Sequence, residues 1–383
     1  MNRRIADIEL LRGFAVLLVL FQHSDYNLIR QAGGSLRFLY DNIGGWTGVD
    51  LFFAISGFVI ARDLIPRLIL ADSRRAILST MFSFWIRRAS RLWPSAWLWL
   101  LLILFATILF NQSGAFGALQ TNLAASLAGI FNYGNFRFAA AFGRFDYGVS
   151  FPYWSLSLEE QFYLLLPLVV IIFRRRLSLL VLIFIVVAGV QIFTNRHVSL
   201  LLMVTRSDAL LLGVLLAIWS RRESYAGFEP AFLSRHRWSG FFVLAILLSC
   251  LACIGSSHFI EFRFTVGIVA VISALLVFLA SYDKNYLMPP NRLKQIFLWV
   301  GSRSYALYLI HIPAYFATRE IWYRISPPDT AFNDAPNLVL AMTAIALVVI
   351  FSELNYRLIE TPFRMRGKKL VEKIRRTQFQ YQA

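Results

Sequence analysis

The chain has 383 residues, 58% of them hydrophobic and only 15% charged, with a mean hydropathy of +0.61. A soluble domain of this size is not so apolar, and no ten-residue alternating pattern suggests an outer-membrane barrel, so the composition points to a polytopic helical membrane protein. The formal net charge of +17 would suit nucleic acid, but basic residues grouped between apolar runs fit topology and anionic lipid heads instead, and no nucleic-acid partner is expected.

In chain order, the N-terminal MNRR precedes an apolar run in the manner of a signal peptide. Asp7, Glu9 and Arg12 interrupt that run and no small-residue cleavage site follows, so it reads as an uncleaved first span. Within IELLRGFAVLLVLFQH, Arg12 and His23 are eleven residues apart. Eleven residues make close to three helical turns, so both side chains share one face, about 16 Å apart along the axis. Ionisable groups at membrane depth are costly and usually functional, although a snorkelling arginine and a histidine bonded to a neighbouring helix would look the same.

Ten apolar segments of helical length follow one another: 8–27, 44–61, 92–110, 153–173, 177–194, 206–219, 239–255, 264–281, 296–318 and 337–356. Threaded from a cytoplasmic N-terminus, the inside segments carry 26 Lys and Arg residues and the outside segments 8, which places both termini in the cytoplasm. The expected fold is therefore all-α, a polytopic transmembrane bundle of about ten spans. Residues 1–360 form the membrane domain and 361–383 a basic cytoplasmic tail.

The inside segment 62–91 ends in WIRRASRLWP, where Arg88 and Arg91 share a face if the segment is helical. They either stop translocation and grip lipid phosphates or clamp a phosphate-bearing ligand. The outside segment 111–152, rich in Gly, Asn and Phe, suits a lid, an acceptor-facing loop or irregular packing at the membrane surface. Cys250 and Cys253 have C-x-x-C spacing, but without a βαβ context or a second pair they read as small lipid-facing or packing residues, and no motif calls for a metal.

Polar groups recur on six of the ten spans. Asp50 and Ser56 lie on the second, Glu159 and Glu160 open the fourth, and Arg206 and Asp208 open the sixth. Arg303, Ser304, Tyr305, Tyr308 and His311 lie on the ninth, and Glu353, Arg357 and Glu360 close the tenth. Such a set implies a polar chamber, because each member needs a partner or water. Imidazole, carboxylate and guanidinium groups serve acid–base transfer chemistry and proton-coupled transport alike. His311 reads as a structural histidine bonded across helices, and His197, His236 and His258 as incidental loop residues.

The ordered strings decide between these uses. Arg12-x10-His23, GVDLFFAISGF at 48–58, the R-x-x-R of Arg88 and Arg91, WSLSLEEQFYLLLP at 154–167, RSDALLLG at 206–213, SRSYALYLIHIP at 302–313 and IETPFR at 359–364 run through nearly the whole chain. Together they resemble the acyltransferase-3 family of membrane O-acyltransferases, found mostly in bacteria.

That resemblance implies a ten-helix, both-ends-in protein of the bacterial cytoplasmic membrane. It would move an acyl group, usually acetyl, from cytoplasmic acyl-CoA, a donor substrate rather than a tightly bound cofactor, to a hydroxyl of a cell-envelope carbohydrate or lipid-linked glycan. It further implies that His23 is catalytic, that Arg12 is its essential partner, that Arg88 and Arg91 serve the donor side, and that Glu159 and Glu160 are functionally important. The chain would be a stand-alone member without a fused esterase-like domain. On this view His23 is general base, or else a transient acyl carrier, and Glu160, Glu159 or Asp50 orients its imidazole. A proton-coupled transporter would use similar groups, but no convincing pair of inverted halves is present. A non-catalytic scaffold leaves the ordered strings unexplained.

Overall fold

The computed structural model describes residues 5–30, 32–196, 198–236, 238–256, 263–326 and 337–380. The MNRR start, His197, His258 and the last three residues of the basic tail lie outside the described residues. Among those described, the chain is all-helical, without strands. Its helices are α1 (Ala6–Ser24), α2 (Gly34–Asn42), α3 (Thr47–Ile69), α4 (Arg74–Leu109), α5 (Leu119–Ile130) and α6 (Gly134–Ala141). They continue as α7 (Tyr153–Phe173), α8 (Leu177–Phe193), α9 (Leu200–Val204), α10 (Asp208–Trp219), α11 (Glu223–Gly227) and α12 (Ser239–Ile254). The series closes with α13 (Thr265–Ala280), α14 (Arg292–Ser302), α15 (Ser304–Ile325), α16 (Asn337–Asn355) and α17 (Thr361–Gln380), the last two joined by a π-helical turn, Tyr356–Glu360.

Four stretches among the described residues are long and apolar enough to cross a membrane: Arg74–Leu109, Tyr153–Phe173, Leu200–Trp219 and Leu338–Ile374. The pair α2 and α3, bent by 43°, would make a fifth if it forms one span. Helices α8, α12 and α13 are apolar but shorter. The structure departs from the sequence reading at three places, one being that the ninth apolar segment, 296–318, is divided at Arg303 between α14 and α15. The third apolar segment is only the second half of the 36-residue α4, because Ser73 caps the helix by accepting from the Ala76 amide at 3.1 Å and the basic stretch continues the same helix. The segment 111–152 is not an irregular loop, since it contains α5 and α6.

The chain folds as two compact units, the first Met1–Asp63 with Ser178–Tyr308 and the second Leu64–Leu177 with Leu309–Ala383. In the first unit α1 packs on α14 and α13, and α10 on α13. Glycines set these crossings. A Cβ on Gly301 of α14 would lie 1.8 Å from the Glu9 carbonyl oxygen, and one on Gly13 of α1 would lie 2.7 Å from that of Phe297. Gly57 of α3 and Gly213 of α10 are reciprocal in the same way, at 2.0 Å from Leu210 O and 2.2 Å from Ala54 O. At such crossings the backbones approach closely enough for extensive dispersion contact. At the start of α1, the buried Asp7 accepts from the buried Lys294 at 2.6 Å, and Lys294 also donates to Asn285 and to the Met288 carbonyl, both at 2.9 Å.

In the second unit α4 packs against α5, α7 and α17. Asn122 of α5 explains why the Asn-rich segment is ordered. Its amide donates to Phe116 O at 2.6 Å and to Thr107 Oγ1 at 3.0 Å, while its oxygen accepts from the Val149 amide at 2.9 Å. An asparagine with its amide so used is a structural lock rather than a ligand-facing group. Elsewhere in this unit, α4, α15 and α16 border an apolar cavity of about 400 Å³. At its edge Trp99 donates to Asn355, which in turn donates to Ser95.

Candidate active site

The site residues expected from sequence divide between the two units. In the first, Arg12 lies in the first half of α1 and donates to Glu9 Oε1 at 3.0 Å, an i,i+3 pair. His23 sits one residue from the helix end and is partly exposed. Its backbone carbonyl accepts from Asn27 Nδ2 at 2.9 Å, which fixes the turn leaving the helix. Immediately beyond it, Ser24 Oγ is 2.8 Å from Tyr40 Oη, and Asp25 receives both terminal nitrogens of Arg37 at 3.2 and 3.1 Å. Arg37 Nε donates to Asp41 at 2.9 Å.

Asp50, a residue considered for orienting the His23 imidazole, is engaged by an arginine. Both its carboxylate oxygens accept from Arg206, each at 2.8 Å, and the two side chains are no more than 2% exposed. The Arg206 guanidinium also lies against the Trp46 and Phe53 rings. Asp208 is engaged likewise by Arg196, at 3.2 and 2.6 Å. These four charges form two satisfied buried pairs, and the geometry gives Asp50 a structural partner.

In the second unit, α4 and α7 bring Arg88, Arg91, Glu159 and Glu160 into one neighbourhood. Tyr163 donates to Glu159, and the same ring lies 5.6 Å from the Arg88 guanidinium, which also rests over Phe84. Glu160 lies within the electrostatic reach of Trp93, Glu159 and Arg88. Arg91 Nε and Arg364 Nη1 each stand 3.8 Å from Oε1 of Glu360, a buried carboxylate on the π-helical turn. Such turns interrupt the regular ladder and recur at functional sites. The i,i+3 spacing of Arg88 and Arg91 falls on continuous helix, as the conditional reading of that stretch required.

Sequence reasoning missed the parts of both groups that are distant in the chain. Tyr163, one turn after Glu159, and Asp41, one turn after Arg37, were legible as i,i+4 neighbours. The contact of Glu360 with Arg91 left no such trace. His311 is fully buried on α15, its ring edge-on to Tyr315. Cys250 and Cys253 are free thiols, partly buried and exposed respectively. Among the described residues no group of three or more His, Cys, Asp or Glu is placed to hold a metal ion.

A family model described as "Acyltransferase domain" matches residues 5–354, and the chain belongs to that family. Similar relatives include a putative peptidoglycan O-acetyltransferase, YrhL, of Bacillus subtilis, 28% identical over 96% of this chain and 56% of its own length. The peptidoglycan O-acetyltransferase OatA of Listeria monocytogenes is 26% identical over 96% of this chain and 57% of its own. A putative O-acetyltransferase of Staphylococcus aureus, SACOL0978, is 27% identical over 96% and 58%. The chain thus spans somewhat more than half the length of these relatives. No solved structure matches it.

Proposed function

We propose that the chain is a multi-pass O-acetyltransferase of the bacterial cytoplasmic membrane, moving acetyl from cytoplasmic acetyl-CoA to a hydroxyl of a cell-envelope glycan, with peptidoglycan the first acceptor to test. The observation that carries this reading is the family match over 5–354, which contains every residue assigned a role here. The relatives' names supply the acetyl group and the glycan. The topology that goes with it has about ten spans and both termini in the cytoplasm, from the distribution of basic residues.

His23 serves as general base. Its neutral imidazole takes the proton of the acceptor hydroxyl as that oxygen attacks the thioester carbonyl. The C–S bond then breaks, and the imidazolium returns the proton to the departing CoA thiolate. Arg12, held by Glu9, supplies positive charge on the same helix. Arg88 and Arg91 bind donor phosphates, for which guanidinium geometry is suited. Glu159, hydrogen-bonded by Tyr163, and Glu160 set the electrostatic surroundings of Arg88. Lipid contact and a glycan are the partners of this reading, and no metal enters it.

Labelled acetyl transfer from acetyl-CoA in membranes tests the assignment. Replacing a general base costs about 10²- to 10⁴-fold, so His23→Ala at matched protein level should lose nearly all labelling of the extracted glycan. Equal labelling by the variant would remove His23 from the role.

A further inference from the structure

The turn that follows His23 carries a conformation its sequence does not favour. Tyr26 has φ +60°, in the left-handed region where glycine or asparagine is the cheaper residue. The turn is firmly held. The Tyr26 amide donates to Ile29 O at 3.0 Å, and the Leu28 and Ile29 amides both donate to Ser24 O at 3.1 Å. Leu28 and Ile29 are buried beneath it. Packing does not account for the tyrosine, because the residue is 66% exposed. A strained, bulky residue with its ring in the open indicates a use outside the chain.

The ring is braced from one side. The Arg37 guanidinium lies 5.7 Å from the Tyr26 centroid and 5.6 Å from that of Tyr40. Arg37 is itself fixed by Asp25 and Asp41, and Tyr40 by Ser24. An aromatic face therefore stands beside a guanidinium and two carboxylates whose positions are set in advance, so little order remains to be imposed on binding. One cation against two anions disfavours a phosphate or an anionic lipid head. It suits a neutral polyhydroxylated ring, whose C–H face covers the aromatic while its hydroxyls donate to Asp41 and accept from Arg37. Tyr26 is three residues from His23, so their Cα atoms are at most about 11 Å apart, the scale of one or two sugar units.

From this we infer that Tyr26, braced by Arg37, is the platform of an acceptor subsite that receives a neutral pyranose of the glycan, next to the unit presented to His23. The role as an acceptor subsite rests on the acetyl-transfer reading, whereas sugar binding at the platform does not.

The test uses the detergent-purified full chain and an N-acetylglucosamine tetramer as probe. Tyr26→Asn keeps a residue at ease in the left-handed region but removes the ring, and Tyr26→Phe keeps the ring. Calorimetric titration should show tetramer affinity reduced about tenfold in Tyr26→Asn and retained in Tyr26→Phe. In acetyl transfer, Tyr26→Asn should raise the KM for glycan and leave that for acetyl-CoA where it was. Thermal unfolding of Tyr26→Asn no lower than wild type confirms that the fold is not the cause. Unchanged tetramer binding in Tyr26→Asn, or no binding by wild type, overturns the platform. Ring-dependent binding without acetyl transfer would overturn the acetyltransferase reading and leave the sugar site standing.

Discussion

Around α3 and α10 of the first unit, Asp50 meets Arg206 and Asp208 meets Arg196, each pair through two hydrogen bonds and each side chain almost wholly removed from solvent. Around α4 and α7 of the second unit the same residue types are held differently. Arg91 is 25% exposed and stands 3.8 Å from its carboxylate, and Arg88 lies against aromatic faces. Both regions look alike in sequence, as charges where lipid would reject them. The difference lies in what each charge has been given. A buried arginine whose carboxylate uses both oxygens on it is part of the frame, while a partly exposed one at a long contact can exchange that contact for a ligand's phosphate.

The sharpest way to break this comparison is to halve a buried pair. Asp50→Ala leaves Arg206 charged and enclosed, which costs about 3–5 kcal/mol. The protein should melt much earlier in detergent or fail to accumulate, and Asp50→Leu with Arg206→Met together should recover most of the loss. A stable Asp50→Ala protein that had lost acetyl transfer would instead give Asp50 a catalytic role.

Next in size are the close helix crossings that hold the first unit's frame in register. Gly301→Ala drives a methyl into the Glu9 carbonyl at 1.8 Å, an overpacking expected to cost about 1–3 kcal/mol. Gly189 of α8 has nothing within 4 Å of its would-be Cβ. Gly189→Ala should instead be neutral or stabilising, by up to about 1 kcal/mol of helix propensity. Opposite shifts in melting temperature from two Gly→Ala changes would confirm that backbone approach sets the crossing, and equal shifts would refute it.

Arg91→Ala probes the other half of the comparison. A hydrogen bond to a charged group is worth about 1.5–3 kcal/mol, so the KM for acetyl-CoA should rise roughly ten- to a hundredfold while the melting temperature changes little. If instead Arg91→Ala melts as early as Asp50→Ala, Arg91 belongs with the frame and the donor-binding role fails.

How much of this was legible depended on the distance along the chain over which each feature is decided. The expected segment 153–173 coincides with α7, since Pro152 and Arg174–Arg176 punctuate both ends. The start of α4 was hidden because its basic residues resemble a loop between spans, although Ser73 supplies a cap. Helices α5 and α6 were hidden because Gly, Asn and Phe read as irregular until Asn122 is seen bridging Thr107, Phe116 and Val149. The site residues on α1, α4 and α7 were visible as types and spacings. Their partners were not, since Asp50 and Arg206 are 156 residues apart and no local period reports such a contact. The left-handed Tyr26 was invisible for another reason, because the sequence there violates local preference rather than following it.

A third kind of pair gives the smallest effect and marks the lower end of the comparison. Between α11 and the turn before α14, Glu229 accepts from Lys284 Nζ and Tyr286 Oη. The Lys284 bond first, and then that from Tyr286, hold the Glu229 carboxyl below its ordinary value of 4.5. A carboxyl depressed on folding contributes stability that is present above the unfolded value and lost as pH falls through the folded one. Glu229→Gln should therefore melt slightly below wild type at neutral pH, with the gap closing as pH falls through the depressed value of the wild-type carboxyl and it protonates. Lys284 is 57% exposed, so the gap at neutral pH should also shrink as salt is raised. A gap insensitive to both pH and salt would mean that Glu229 acts through packing. The distinction drawn for Asp50 and Arg91 would then need more than exposure to sustain it.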